Sequence, residues 1–385
     1  MIAIGGKSQL NAKVEIMYRL ICPCLFGLEK TLAFEIRRAG GTELSVTDGR
    51  VFFSGGEDVI ARMNITSSVA ERVGIVLGEF DAPDFDALFE GALASPIEQF
   101  AGRDDAFPVV KGHSINSKLT SIPAIQRTIK KALAKRMGEK YGAQTLPETG
   151  AQFPVHFLIQ KNKALLTLDT TGTSLHKRGY RASSVEAPIR ETLAAGIVDI
   201  AHVRADDIIC DPFCGSGTIL IEAAMKMLNI APGLNRGFIA QEWECFDKDV
   251  WEQERALARD KVKDEGVVLY GYDIDPKAVE LTKRNAKSAG VGKYIRVEKR
   301  DVREFVYPAE KCKIITNPPY AKRMLTEGQT DELYRIMGER MLPLGEHSLY
   351  VITARESFQE SFGLKAGKER KLYNGMMKCR VYSFR

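Results

Sequence analysis

At 385 residues the chain is longer than one ordinary core fills, so two or three domains are expected. Hydrophobic residues make up 44% and charged residues 27%, a globular balance that excludes a fibrous or disordered chain, and no apolar run approaches the roughly 20 residues that cross a bilayer. The formal charge of +5 permits a polyanionic partner without requiring one, so the placement of the cations has to decide.

The first sixteen residues, MIAIGGKSQLNAKVEI, precede a second methionine, Met17, and read as a leader or an alternative start without the features of a secretory signal. From Met17 the pattern predicts a strand over 18–25 and a helix over 27–39 with Leu28, Leu32 and Ile36 spaced by four. Short strands around Leu44 and Val51 complete a small α/β platform over 17–65. Cys22 and Cys24 share one face of the first strand, which could suit a metal, but without a second ligand pair they read as two buried thiols. The seven cysteines are odd in number and lack any C-x-x-C pair, so we read reduced thiols of a cytoplasmic protein and no metal.

Residues 66–172 repeat the α/β mixture. A helix is expected over 121–141, then strands Val155–Gln160 and Lys163–Asp169 joined by Lys161 and Asn162. The helix sets Ile125, Ile129, Leu133 and Met137 on one face, with Arg127, Lys130, Lys131, Lys135 and Arg136 mostly displaced from it. A charged helix face is usually only solvated. Lys111, Lys118 and Lys140 nearby extend it toward the track of cations that phosphates need.

The segment SLHKRGYR at 174–181 is basic and turn-like; Lys177, Arg178 and Arg181 are its candidate RNA contacts. It opens a linker over 173–200 that ends in a helix of about sixteen residues, closing near Ile200. From 201 to 385 strand and helix patterns alternate as in a doubly wound parallel sheet.

The chemistry concentrates there. DDIICDPFCGSGTILIEAAMKM reads as strand, glycine turn and helix, so Asp211, Pro212, Phe213, Cys214, Gly215, Gly217 and Thr218 form a ligand turn at a strand's carboxyl end. Glycine leaves room for the ligand and the helix N-terminus offers free N–H groups. The next strand, VVLYGYDID, ends at Asp273 and Ile274, with the acid placed for ribose hydroxyls. A third, YIRVEKRDV, ends at Asp301 and Val302, where a carboxylate and a backbone N–H can read an adenine edge. The third glycine of a dinucleotide fingerprint is missing, and no Gly-Lys-Ser/Thr follows the turn. S-adenosylmethionine fits what remains.

A fourth strand, KCKIITNPPY, breaks sharply at Asn317, Pro318, Pro319 and Tyr320, because each proline fixes φ and Pro319 holds Pro318 extended. An exocyclic amine is a poor nucleophile while its lone pair is delocalised into the ring. The Asn317 side-chain carbonyl and the Pro318 backbone carbonyl can each accept one amine proton and turn the lone pair toward a methyl donor, while Tyr320 stacks on the base; Asn317 also borders the cofactor. Guanine N2, adenine N6 and cytosine N4 make the same demand. DNA adenine methylation, glutamine methylation of a protein and a noncatalytic RNA-binding assembly factor are therefore the competing readings.

With DPFCGSGT at 211–218, GYDID at 271–275, NPPY at 317–320, SLHKRGYR at 174–181 and the closing KAGKERKLYNGMMKCRVYSFR, nearly the full chain resembles the THUMP-containing rRNA guanine-N2 methyltransferase family. The resemblance implies a Rossmann-like class I methyltransferase domain of α/β class, with a doubly wound, mostly parallel sheet, preceded by ferredoxin-like and THUMP α/β domains that bind structured RNA. It implies guanine N2 of 23S rRNA as target, and large-subunit rRNA or an assembly intermediate as partner. The closing basic stretch, with Lys368, Arg370 and Lys371 beside Tyr373, is either a solvated hairpin or a wall of an RNA channel.

Overall fold

A computed structural model of the chain describes residues 16–110, 112–181, 189–264, 266–319, 326–375 and 377–385. The expected leader thus lies almost wholly outside the described residues. Two seven-stranded sheets organise the rest.

The first sheet contains β1 (Tyr18–Pro23), β2 (Thr42–Thr47), β3 (Arg50–Gly55), β4 (Gly74–Asp81), β5 (His113–Ile115), β6 (Val155–Gln160) and β7 (Lys163–Asp169), in the order β2-β3-β1-β4-β7-β6-β5. Every pairing is antiparallel except β5 with β6. Helices α1 (Glu29–Arg38), α2 (Glu57–Thr66), α3 (Phe85–Ala94) and α4 (Ile122–Tyr141) belong to this half. The sequence suggests two separate platforms here, yet β1 pairs with β3 on one side and β4 on the other, so one sheet runs through both. The strand that joins them, β4, is hard to see in the sequence because Gly74 and Gly78 interrupt its alternation and the ladder bulges between Val76 and Gly78. The β6–β7 hairpin has the bounds its alternation predicts. Lys161 and Asn162 both take positive φ, 52° and 61°, the two-residue turn that matches strand twist.

The second sheet contains β8 (Ile209–Asp211), β9 (Leu269–Asp273), β10 (Ile295–Lys299), β11 (Lys313–Thr316), β12 (Ser348–Thr353), β13 (Lys368–Asn374) and β14 (Met377–Phe384), in the order β10-β9-β8-β11-β12-β14-β13. The first five are parallel and β14 runs antiparallel to both neighbours. Its helices are α5 (Glu191–Ile200), α6 (Thr218–Met227), α7 (Lys248–Asp260), α8 (Pro276–Ser288), α9 (Glu327–Met341) and α10 (Phe358–Phe362). The chain winds outward from β8 to β10 and then returns to β11, so the order reverses between β8 and β11. Ligands of such sheets bind at that reversal, beyond the carboxyl ends of the strands.

The two halves share one buried apolar cluster that runs from Leu20 to Val381. At their boundary Trp243 stacks on Phe153 at 4.5 Å and its Nε1–H donates to the Gln152 carbonyl at 2.8 Å. Arg62 of α2 donates to Glu254 of α7 at 2.7 and 2.5 Å. The helix before β8 is shorter than the sixteen residues suggested, since α5 begins at Glu191, and residues 182–188 are not described.

Candidate active site

The β8–α6 turn is shaped by two left-handed glycines. Gly215 has φ +54° and Gly217 φ +80°. A Cβ on Gly217 would sit 2.6 Å from the Thr282 side chain, so the turn packs against α8 there, whereas a Cβ on Gly215 would meet none of the described residues within 4 Å. Gly215 therefore faces open space, where a ligand can approach the backbone. The first N–H groups of α6, beginning at Thr218, open toward the same region.

Hydrogen bonds from the neighbouring chain hold the turn open. The Gly215 N–H donates to Asp273 Oδ2 and the Asp275 N–H to Asp273 Oδ1, both at 2.9 Å. Thr282 Oγ1–H donates to the Gly215 carbonyl at 2.8 Å and Asn285 Nδ2–H to the Ser216 carbonyl at 2.9 Å. Thr282 and Asn285, which hold the turn from α8, are residues that the sequence reading missed. Their only signal is a pair of polar residues on the buried face of α8.

Beside Asp273, Ile274 is 61% exposed. An exposed isoleucine flanked by acids at a strand's carboxyl end fits a ligand with an apolar ring and polar hydroxyls. Val302 is buried. Asp301 accepts from the Arg303 N–H and guanidinium, both at 2.9 Å, so part of its carboxylate is already engaged. Cys214 is buried and burial pushes its thiol well up, which makes it wall rather than nucleophile.

Asp211, an expected cofactor contact, is the last residue of β8. It is buried, and its Oδ1 accepts from Thr316 Oγ1–H at 2.7 Å and from the Phe213 N–H at 3.1 Å. Burial pushes its carboxyl up to about 7. Asp211 therefore ties the β8 turn to the last residue of β11, and Asn317 follows directly. Pro318 is buried and Pro319 half-buried, while Tyr320 lies outside the described residues. The Asn317 Oδ1 is buried and has no hydrogen-bond partner among the described residues. An unpaired buried carbonyl costs free energy unless something else satisfies it, and an incoming N–H donor would.

The expected RNA contacts divide. Lys118, Arg127, Lys131, Lys135, Lys177 and Lys371 are exposed. Lys130 is held over the Phe107 ring at 3.6 Å and paired with Glu148 at 2.6 Å. Arg178 departs from the expectation because its side chain is only 2% exposed; it donates to Ser68 and Leu175 carbonyls and faces Glu222 at 3.4 Å. Arg181 donates to Thr218 Oγ1 at 2.7 Å and lies 3.4 Å from Glu191, so it supports the first residue of α6 from behind. Lys111 lies outside the described residues.

Three family models match in chain order: an RlmL ferredoxin-like domain over residues 19–74, a THUMP domain over 82–169 and an RMKL-like methyltransferase domain over 178–383. YpsC of Bacillus subtilis (strain 168), provisionally named an RNA methyltransferase, is 39% identical over 95% of this chain and 96% of its own. The ribosomal RNA large subunit methyltransferase K/L of Shewanella baltica (strain OS185) is 31% identical over 92% of this chain, but the match spans only 51% of that longer enzyme. The solved structure of SMU.472, complexed with S-adenosylhomocysteine (SAH), superposes with a TM-score of 0.91 at 37% identity, covering 96% of this chain and 98% of the other.

Proposed function

Since the chain belongs to the family of THUMP-containing, RMKL-like, S-adenosylmethionine-dependent methyltransferases, we propose that it methylates an exocyclic amino nitrogen of an RNA base, guanine N2 of large-subunit rRNA above all. The observation that carries this reading is the buried Oδ1 of Asn317 at the carboxyl end of β11, which has no partner among the described residues and lies one strand from the Gly215 turn.

S-adenosylmethionine supplies an activated methyl group on a good leaving group. The Asp273 region and Ile274 would hold the nucleoside end, and the α6 N-terminus the carboxylate end. The Asn317 Oδ1 and the Pro318 carbonyl accept the two amine protons, which withdraws the nitrogen lone pair from the ring and fixes its direction. Positioning and electrostatics then supply the rate. A base inside a helix cannot reach this depth, so the target is unpaired or flipped out.

RNA is favoured over duplex DNA by the THUMP match, and the exposed cations of α4 suit the phosphates of either. The proposed partner is large-subunit rRNA or an assembly intermediate, met in the cytoplasm, where the seven cysteines stay reduced. Replacing Asn317 with Ala tests the reading. Turnover falls by about 10² or more, as on removing one positioned polar group, while SAH affinity measured by calorimetry stays within about twofold. Unchanged turnover removes the amine-polarising role.

A further inference from the structure

Phe26 and Tyr373, from opposite ends of the chain, meet edge to face at 5.7 Å with an interplanar angle of 63°. Phe26 nevertheless stays 50% exposed. We propose that this pair is a stacking platform for unpaired nucleotides flanking the target base, an inference that rests on the RNA reading but not on the identity of the base.

The position follows from strand register. Thr353, the last residue of β12, pairs with Arg380, so β14 continues from there toward Met377 past the end of β12. The tip of the β13–β14 hairpin thus overhangs the sheet edge from which Asn317 emerges. Three strand spacings of ~4.8 Å sideways and about three residues of ~3.3 Å along put Tyr373 roughly 15–20 Å from Asn317. That is within reach of nucleotides next to a base in the pocket.

The hairpin face has the matching chemistry. Tyr373 lies opposite Lys378 and Lys371 opposite Arg380, and directly opposed residues share a face, so an aromatic and three cations line one side. Leu372 and Cys379 are buried on the other. Lys378 and Arg380 reach Glu356 at 3.8 and 3.5 Å, but that carboxylate is 72% exposed, and such surface pairs exchange readily for phosphate. Lys371 has no ion pair among the described residues.

The platform is also rigid. Glu29 accepts from the N–H groups of Gly27 and Gly49, each at 2.9 Å, and so clamps the loop that carries Phe26. The ring lies over Gly49, where a Cβ would come within 3.2 Å of it. Gly27, at φ +93°, presses so closely on the hairpin that a Cβ would sit 2.5 Å from the Lys371 carbonyl oxygen. A half-exposed aromatic fixed this firmly beside cations suits the face of an unpaired base, which stacks without sequence preference, and not the sides of a duplex, whose bases are covered.

The test compares two RNAs by fluorescence anisotropy with the full chain at constant salt: a stem-loop carrying a single-stranded 3′ tail of six uridines, and the same stem-loop with a blunt end. We expect the tailed RNA to bind at least fivefold tighter. Phe26→Ala and Tyr373→Ala should each abolish that preference, while Phe26→Tyr and Tyr373→Phe retain it and SAH affinity stays unchanged in all four. Crosslinking of a 4-thiouridine tail to the wild-type protein should label the peptides carrying these two residues. Tail preference that survives both alanine variants, equal wild-type binding of the two RNAs, or crosslinks confined to other peptides overturns the platform. A wild-type protein that binds neither RNA overturns the RNA reading as well.

Discussion

Asp211 and Thr316 carry an instructive exchange between the two halves of the site. The reading of 211–218 as one ligand turn places Asp211 with the cofactor, and its Oδ1 also accepts from Thr316 at 2.7 Å in a buried contact. Sequence alone cannot distinguish an acid at a strand end that faces a ligand from one that faces the next strand. A faint signal does exist, since Thr316 is a polar residue in the otherwise apolar run IIT. Replacing Thr316 with Val leaves the Asp211 acceptor short of a donor and should cost about 1–3 kcal/mol of stability by urea unfolding, while Thr316→Ser retains most of it.

The acid also links stability to pH. Burial raises Asp211 from 3.8 to about 7, with Asp273 adding in the same direction. The folded state therefore keeps a proton that the unfolded chain releases. The resulting stability is fully present below about pH 4 and is lost as pH rises toward 7. Urea midpoints at pH 5 and 7.5 should differ less in Asp211→Asn than in the wild type; an equal difference would assign the pH dependence to other groups.

At the scale of elements, periodicity served the long, regular segments best. The α4 helix and the β6–β7 hairpin are where their apolar spacing and turn residues put them, because both patterns are local. The glycine-broken β4 escaped, since its place comes from pairing with β1 and β7, far away in sequence. The same limit applies to the α4 cations, whose partners are set by tertiary contacts. Lys130 is occupied by Glu148 and Phe107, whereas Arg127, Lys131 and Lys135 are exposed. Neutralising those three together should lower the salt slope of RNA binding by about 2, at roughly 0.7–0.9 per phosphate contact. Replacing Lys130 alone should lower the unfolding midpoint more than the slope. An unchanged slope in the triple variant would make the α4 face merely solvated.

For the whole molecule, the order of halves and the alternation from 201 onward were legible, because the parallel sheet writes its period into the sequence. The way the halves join was not. SLHKRGYR reads as a basic, turn-like opening of a linker, yet Arg178 and Tyr180 are buried against Glu222 of α6, with the tyrosine hydroxyl donating at 3.1 Å. A buried arginine paired with a glutamate from a distant helix looks, in sequence, like any surface cation. Removing one partner leaves an uncompensated buried charge, so Glu222→Ala should cost about 3–5 kcal/mol. Because the apolar cluster is continuous between the halves, we expect calorimetry to show one unfolding transition shifted downward in this variant. Two resolved transitions in the wild type would contradict a shared core.

On the proposed function, Asn317 presents an RNA base amine to the methyl donor. The most direct measurement is transfer of labelled methyl from S-adenosylmethionine to undermodified large-subunit rRNA, followed by digestion to nucleosides. We expect label in N2-methylguanosine, lost in Asn317→Ala; label confined to a ring carbon or a ribose oxygen, with the Asn317 variant fully active, would rule out the amine-presenting role.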